Sequence, residues 1–428
     1  MDAAISWPNG KHYLFEGSTY QRYDAETGTR EASGVPIAGA WGTLWPDGVD
    51  AGLYWGFNKA FFFKGSEFCR YDCKTDTVDY VHSIADYWPG LWTRGIEACL
   101  NWTNGKLYIF RGSEYVRWDI GFDRMDEGYP RSIAGAWPGI WEDGVDAALY
   151  PGGEEAYFFK GGSYRVFNIA ADTSDGVDRP IASFAPAPVP SGLLKPARDL
   201  SREEAAKIAV WQANAGAYSF KTAWMAVRKA PDGTIQSVDA NRPIAIEPRR
   251  IGRVEYVNNA NRQGQTVDNL DPRMLVALER LGRWLNADRA DVEAVVHMGI
   301  GHGGSNPKDC HNQGRALDLS GLVGAVDGEA FDLDVTRDWG KLPEGTMGAY
   351  RLDPSGNAIA YDLFKRAYAF GTYECECNRG NVWPPTEIGA GGFVICPDYW
   401  GDGSASNQKL RRDHNNHIHM QIGPTVVP

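Results

Sequence analysis

Four copies of one unit fill the first half of the chain and restrict what it can fold into. They open on "DAAI" at Asp2, "DAGL" at Asp50, "EACL" at Glu97 and "DAAL" at Asp146, at intervals of 48, 47 and 49 residues. Each continues with an aromatic run, a Phe-x-Gly turn and an alternation of aromatic residues and arginine, as in "FRGSEYVRWD". Alternation around a glycine turn is typical of two antiparallel strands joined by a hairpin. Strand-rich repeats of this length, which cannot bury their apolar faces alone, favour a β-propeller.

The ends of the units show where the array stops. Three units close on a tryptophan segment, "IAGAWGTLWPDGV", "IADYWPGLW" and "IAGAWPGIW", whereas the fourth runs into "IASFAPAPVPSG" and has lost this end. The period, the opening, the "FKG" turn and the "WPG" segment together resemble the hemopexin repeat family, which forms a four-bladed propeller. We therefore predict an all-β propeller domain over residues 1–184.

The resemblance also implies what this domain does. Each blade would start at the axis, so that the first-strand backbone faces a central channel near Ala3, Ala51, Ala98 and Ala147. Members of the family bind ions in this channel or use the outer surface to hold a protein or glycan, and we expect one of these roles here. The plainer alternative is that the repeated acidic, alanine and tryptophan residues only pack the axis and the blades. No residue in this half has a catalytic pattern.

Charge and hydropathy exclude two classes of partner. The net charge is −12 with a pI near 5.2 and no long basic run, so we expect no binding to nucleic acid or to an anionic membrane surface. No apolar stretch reaches the roughly 20 residues needed to cross a bilayer, so we expect no membrane insertion. The opening "MDAAISWPNG" lacks the charged and apolar regions of a signal peptide, which predicts that any export uses another route.

A proline-rich stretch separates the repeats from the rest. "SFAPAPVPSGLLKPARDL", at 183–200, favours a semi-rigid spacer, and we predict a linker over residues 185–199 and a second domain over residues 200–428. "SREEAAKIAVWQANAG" has Ser201 and Glu204 at capping-box spacing, which predicts a helix.

A second helix and a strand follow in that domain. "DPRMLVALERLGRWLN" has Asp271 as its cap, Pro272 at the first helical position and leucines on one face, which predicts a helix. The apolar core of "DVEAVVHMGIG" suits a buried strand. An α+β domain is therefore expected.

Six of the eight histidines lie between His297 and His419, which is where metal chemistry is expected. In "CHNQGRALDLSG", His311 and Asp318 are seven residues apart, and a tight turn at Gly314 would bring both side chains to one site. Zinc accepts imidazole nitrogen and carboxylate oxygen together, and a catalytic zinc takes three protein ligands and leaves the fourth position to water. A third ligand is therefore required.

The segment "HNNHIHMQIG" can supply that ligand. In an extended segment His417 and His419 point to the same face, because strand side chains repeat every two residues. One of them can bind a metal while the other lies beside the water. The two motifs together, in this order, favour a metal site over chance matches, although which divalent ion binds is not fixed by the residue types.

These residues resemble the LAS metallopeptidases, named for lysostaphin, D-alanyl-D-alanine metallopeptidase and sonic hedgehog. "HNQGRALD" is similar to the HxxGxAxD signature of the D-alanyl-D-alanine carboxypeptidase branch, and "HNNHIH" to the ending of the penicillin-insensitive murein endopeptidases. The resemblance implies His311, Asp318 and His419 as zinc ligands, His417 as general base and His414 as a polar stabiliser near the water. It further implies a zinc-dependent hydrolase acting on amide bonds near D-alanine or diaminopimelate in peptidoglycan stem peptides or cross-links, and a bacterial source.

The chain departs from this pattern at two places. The branch that lacks the murein endopeptidase ending has a Glu or Asp three residues before the last ligand, and this chain has Asn416 at that position. The strand before the signature ends in "HMGIGHGG" without the arginine usual there, so His297 or His302 is a candidate for stabilising the oxyanion.

Two features have no motif that assigns them. Residues 372–403 form an aromatic, Gly- and Cys-rich insertion, which we interpret as a lid or as a stapled substrate loop. The cysteine count is odd, at seven, so a fully disulfide-bonded scaffold is not expected. The last four cysteines, Cys310 among them, could still form disulfides in an oxidising compartment. Cys310 itself is a thiol ligand, a disulfide partner or a buried residue.

The sequence therefore predicts a two-domain zinc metallopeptidase carried by a binding propeller. Two rivals remain: a toxin or injected effector that cuts a protein of another cell, and a non-catalytic protein in which zinc is structural and the propeller holds a protein or glycan. We expect the protein to act outside the cytoplasm.

Overall fold

The computed structural model describes residues 1–221, 227–247, 250–262, 267–302, 305–340, 352, 355–375, 394–397, 409 and 412–423. The chain divides into two compact units, Met1–Lys195 and Pro196–Pro428, here called the first and second units. Among the described residues, no helix has the length and apolar character that a bilayer crossing requires.

The first unit consists of four antiparallel sheets, one for each sequence repeat. The first sheet contains β1 (Ala3–Trp7), β2 (Lys11–Glu16), β3 (Thr19–Asp24) and β4 (Arg30–Pro36). The second contains β5 (Ala51–Gly56), β6 (Lys59–Lys64), β7 (Glu67–Asp72) and β8 (Thr77–Ser83), and is followed by the short helix α1 (Ile84–Tyr87). The third contains β9 (Ala98–Asn101), β10 (Lys106–Arg111), β11 (Glu114–Asp119), β12 (Arg124–Met125) and β13 (Arg131–Ser132). The fourth contains β14 (Ala147–Leu149), β15 (Glu155–Lys160), β16 (Ser163–Asn168), β17 (Thr173–Ser174) and β18 (Arg179–Pro180), ahead of a 3-10 turn at Ile181–Ser183.

The first strands close a ring. Strand β1 contacts β5 and β14, and β9 contacts β5 and β14, so that each first strand has two neighbours. The four sheets are therefore the blades of a four-bladed propeller, as the repeat predicts.

The acidic residue that opens each repeat has a structural role. Its carboxylate accepts a hydrogen bond from the backbone N–H of the hairpin glycine fifteen residues later, at 2.6–2.7 Å. The four pairs are Asp2 with Gly17, Asp50 with Gly65, Glu97 with Gly112 and Asp146 with Gly161. The recurring acidic positions thus hold the strand start to the turn, which is a structural role other than packing at the axis.

Phe184 takes the place of the tryptophan that the fourth unit lacks. Its ring centroid lies 5.1 Å from those of Phe159 and Tyr164 in the fourth blade, and 5.3 Å from that of Tyr23 in the first blade. The other blades bury a tryptophan in this part of the repeat, namely Trp41, Trp88 and Trp137. Phe184 therefore joins the last blade to the first and helps to close the ring.

Replacing Phe184 by alanine is expected to destabilise the propeller by about 3–5 kcal/mol, the usual cost of truncating a buried phenylalanine. Denaturant unfolding followed by tryptophan fluorescence measures this, because ten of the sixteen tryptophans lie in the first unit. Val177→Ala, at an exposed position, is the control and should change the free energy of unfolding by less than about 0.5 kcal/mol. An equally small change for Phe184→Ala would show that this ring does not hold the blades together.

The predicted linker is largely packed in the structure. The backbone N–H of Ala187 donates to the Tyr157 hydroxyl at 2.7 Å, and that of Val189 donates to the carbonyl of Ala25 at 2.8 Å. Val189 and Leu193 are buried. The boundary between the two units falls after Lys195 in the sequence, so residues 185–195 belong to the first unit, where they cross from the fourth blade to the first. Proline favours extended backbone, but extended backbone can still dock when its N–H groups find acceptors.

The second unit mixes helices and strands. After a 3-10 turn at Ala197–Asp199 come α2 (Arg202–Asn214), β19 (Val227–Lys229), β20 (Ile235–Val238), β21 (Ile244–Ile246), β22 (Arg250–Ile251), β23 (Val254–Asn258), β24 (Val267–Leu270) and α3 (Pro272–Leu285). They are followed by β25 (Ala290–Ile300), β26 (Ala316–Val326), β27 (Glu329–Asp334), α4 (Val335–Asp338), α5 (Ala358–Glu374), β28 (Val394–Ile395) and β29 (Ile418–Gln421). Both predicted helices are confirmed, α2 with its Ser201–Glu204 capping box and α3 with Asp271 as its cap.

One sheet carries the site. Its strand order is β22-β23-β25-β26-β29-β28, and β27 pairs with the far end of β26. All pairs are antiparallel except β23 with β25. Strands β25 and β26 are each eleven residues long, longer than the buried run in the sequence predicts. They place β26 between β25 and β29, where the predicted site residues lie.

Candidate metal centre

Strand pairing brings the two histidine motifs together. Asp318 of β26 lies directly opposite His419 of β29 in the antiparallel register, and opposite Gly299 of β25 on its other side. Directly opposed residues of neighbouring strands project to the same face of a sheet. The carboxylate and the imidazole therefore share one face, although 101 residues separate them along the chain.

The loop before β26 delivers His311 to the same place. Gly314 has a φ of +67°, and the backbone N–H of Arg315 donates to the Cys310 carbonyl, which closes the tight turn. A Cβ atom at Gly314 would lie 1.9 Å from the carbonyl oxygen of Asn269, so only glycine fits there. The turn predicted at Gly314 is confirmed, and it brings the His311 and Asp318 side chains within 3.2 Å.

Asp318 is the point on which three histidines converge. Its Oδ2 lies 3.2 Å from His311 Nε2, and its Oδ1 lies 2.7 Å from His419 Nδ1 and 3.3 Å from His417 Nε2. Burial raises the pKa of the Asp318 carboxyl, but the neighbouring imidazoles of the three histidines lower it by more, so that the pKa lies well below its ordinary value. For His311, burial lowers the pKa of the ring, and the Asp318 carboxylate more than offsets this and raises it.

The donor set suits zinc. Two overlapping groups have ligand atoms within 4.8 Å of one another: His311 with Asp318 and His419, and His414 with His417 and His419. Tetrahedral zinc ligands at about 2.0–2.1 Å from the ion lie roughly 3.3 Å apart, which is close to the His311–Asp318 distance. The first group is the one expected from the sequence, and its role as the ligand set stays a prediction.

Gln421 supplies outer support for His419. Its side-chain N–H donates to the Gly423 carbonyl at 3.0 Å, which turns Oε1 toward His419 Nε2 at 3.1 Å. With Nε2–H donating to this oxygen, Nδ1 is the nitrogen that faces Asp318, and it would supply the lone pair when a metal is bound.

Replacing Gln421 by alanine is therefore expected to weaken zinc affinity about 10- to 100-fold, the usual cost of losing an outer-shell partner. Competition titration against a fluorescent zinc chelator measures the affinity, and circular dichroism checks the fold. Gln236→Ala, at an exposed position, is the matched control. Unchanged affinity in Gln421→Ala would mean that His419 does not bind metal through Nδ1.

His417 is oriented by its neighbour. His417 Nδ1 lies 2.7 Å from Asn416 Oδ1, and since an amide oxygen only accepts, Nδ1 carries the proton and Nε2 the lone pair. His417 Nε2 is buried and makes no hydrogen bond to any described residue. The His414 ring lies 4.9 Å from that of His417 and 5.2 Å from that of His419. His414 and His417 thus lie at the proposed metal position, with His417 holding a lone pair ready to accept a proton.

The two histidines suggested for the oxyanion differ in environment. His297 is 3% exposed, and neither ring nitrogen has a hydrogen-bond partner in the described part of the chain. Burial lowers its pKa to about 4, with the charges of Asp318 and His311 acting on it as well. The His302 side chain is 66% exposed, and its Nε2 is held by Asp268. The oxyanion role of either residue stays a prediction.

The remaining sequence expectations have mixed outcomes. Cys310 is buried, and its sulfur lies 3.6 Å from Arg315 Nη2. Most of the 372–403 insertion, with Cys377, lies outside the described residues; 372–374 end α5, and 394–395 form β28 beside β29. The propeller channel is lined by the first strands of all four blades. Whether it holds a second ion stays a prediction. The two clusters of possible metal ligands found among the described residues both lie in the second unit.

Two residues of the site were not predicted. A Cβ atom at Gly299 would lie 3.3 Å from His311 Nδ1, so this glycine leaves space for the ring. A glycine inside a long apolar strand is the signal for such a close approach. Gln421 continues the two-residue period of His417 and His419, which was also visible in the sequence.

Comparison with known proteins assigns the propeller. The hemopexin family model matches residues 49–93 and 96–142, the second and third repeats. Similar solved structures include a seed albumin from Lathyrus sativus (24% identity, 43% of this chain and 93% of that chain, TM-score 0.39) and a 2S albumin seed protein from Dolichos (26%, 44% and 96%, 0.39). A third is the hemopexin fold protein CP4 from cow pea (24%, 42% and 93%, 0.38). No curated protein matches the chain significantly. The four repeats, the closed ring of four sheets and the family match together identify the first unit as a hemopexin-like domain with a four-bladed β-propeller fold.

Proposed function

We propose that the second unit is a zinc-dependent peptidase of the LAS kind, which hydrolyses amide bonds in peptidoglycan stem peptides or cross-links. The observation that carries the proposal is the convergence of His311, His417 and His419 on the Asp318 carboxylate. The propeller would target the enzyme by binding a protein or glycan, since the hemopexin fold is typically a binding module.

The residues divide into ligands and a proton carrier. His311, Asp318 and His419 would hold the ion, which when bound polarises a scissile carbonyl and lowers the pKa of water. His417 Nε2 would take the proton of the attacking water and return it to the leaving amine nitrogen. Asn416 holds the His417 ring in the tautomer that this step needs. His414 would donate a hydrogen bond at the same place.

Digestion of purified peptidoglycan tests the proposal. We expect the intact protein to release new amines and muropeptides whose masses identify the bond, and chelator to abolish the release. Because the substrate lies in the cell wall, we further propose that the protein acts outside the cytoplasm. Binding of about one metal per chain without any wall fragment would contradict the murein substrate and favour an effector that cuts another protein, or a binding protein with structural zinc.

A further inference from the structure

A cavity of about 540 Å³ in the second unit is walled by an unusual set of side chains. Three arginines line it, Arg202, Arg273 and Arg315, together with the amides of Asn312 and Gln313. Its size lies within the usual range of roughly 300–1,000 Å³ for small-ligand sites. The cavity therefore has room for part of a substrate, and its three guanidinium groups carry hydrogen-bond donors.

The charge of the wall is opposite to that of the chain. Its ionisable side chains are three arginines and Asp271, which gives a net charge of +2 (three minus one), whereas the whole chain carries −12. A concave positive site attracts anions from solution, and guanidinium groups bind carboxylates in a paired, planar geometry. The wall thus favours an anionic ligand.

Asp271 orients two of the arginines without using all their donors. Its side chain is 0% exposed, and it accepts from Arg202 Nε and from Arg273 Nε and Nη2, each at 2.9 Å. A guanidinium has five N–H groups. The remaining nitrogens of Arg202 and Arg273 can therefore meet a second carboxylate, and the fixed Asp271 reduces the entropy lost when they do.

Part of the cavity wall is the loop that also carries His311 of the candidate metal centre. Asn312 and Gln313 directly follow His311, and Arg315 lies between His311 and Asp318. The same loop is tied to the cavity floor, because the N–H of Asp271 donates to the Gly314 carbonyl at 3.0 Å. A ligand anchored in the cavity would therefore lie beside the loop that carries His311.

We propose that this cavity binds the carboxylate of a peptide substrate and so anchors the peptide beside the metal centre. The choice of a peptide rests on the proposed function, whereas the choice of a carboxylate rests on the arginines. Arg202, on the first turn of α2, is the most accessible of the residues that bind Asp271, with a side chain 41% exposed.

Calorimetric titration of the full chain with N-acetyl-D-alanyl-D-alanine and with its C-terminal amide tests the proposal. We expect the free acid to bind about 10- to 100-fold more tightly than the amide, and Arg202→Gln to remove this preference, as for the loss of a charged hydrogen bond. Arg202→Lys, which keeps the charge but loses the planar fork, should retain part of it. Arg253→Gln, with a side chain 74% exposed and outside the cavity wall, is the control with the same change in charge.

Titration of metal-free protein distinguishes binding in the cavity from binding to the metal. We expect the preference for the acid to persist after chelation and in Asp318→Ala, because the arginines and not the ion recognise the carboxylate. Loss of the preference on chelation would overturn the proposal, as would equal binding of acid and amide by the intact chain. Inorganic phosphate that binds while the acid does not would overturn the carboxylate assignment. None of these results depends on turnover, so they are separate from the digestion of peptidoglycan.

Discussion

Asp318→Ala is expected to reduce bound zinc from about one ion per chain to none and to abolish hydrolysis of peptidoglycan. His311, His417 and His419 all approach this carboxylate within 2.7–3.3 Å, so its loss removes a proposed ligand and the centre of the arrangement. Losing only an outer-shell partner costs roughly 10- to 100-fold in metal affinity, and the loss of a ligand should cost more. Metal analysis after gel filtration and the digestion assay give the two readouts.

The two overlapping histidine groups provide the matched comparison. His414→Ala should keep the zinc, because His414 belongs only to the second group, whereas Asp318 belongs only to the first. Asp332→Ala, at an exposed carboxylate of β27 in the same sheet, should keep both metal and activity. If His414→Ala lost the metal and Asp318→Ala kept it, the ligands would be His414, His417 and His419 instead.

His417→Ala is expected to lower the rate of hydrolysis about 10²- to 10⁴-fold, the usual contribution of a general base, while about one zinc per chain remains bound. Its Nε2 is buried, carries the lone pair and lies 3.3 Å from the Asp318 carboxylate. The steady-state rate on a defined stem peptide, with metal content measured on the same sample, tests this result.

Two substitutions of Asn416 distinguish a loss of proton transfer from a general loss of structure. Asn416→Ala removes the acceptor for His417 Nδ1, so the ring loses its fixed tautomer and the rate should fall by less than in His417→Ala. Asn416→Asp keeps an acceptor and should retain most of the rate, with an altered pH dependence. Loss of zinc in His417→Ala would contradict the assignment and make His417 a ligand.

The sequence alone determined the parts that repeat or that depend on neighbouring residues. The four units predicted the propeller because each must bury its apolar face against the next, and the family match on two of the repeats agrees. Helices α2 and α3 were predictable because Ser201, Glu204 and Asp271 cap them through local hydrogen bonds. The turn at Gly314 was predictable because glycine readily adopts the positive φ that a tight turn needs.

Only the tertiary structure decided what distant segments do together. The packing of 185–195 depends on acceptors at Ala25 and Tyr157, and the composition of that stretch indicates only extended backbone. Likewise, Arg202, Arg273 and Arg315 lie on α2, on α3 and in the loop before β26, and no local pattern unites them. Asp318 and His419 meet across 101 residues through strand register. Local hydrogen bonds and periodicity depend on neighbouring residues, whereas the cavity, its charge balance and the meeting of the two histidine motifs arise from contacts between segments far apart in the chain.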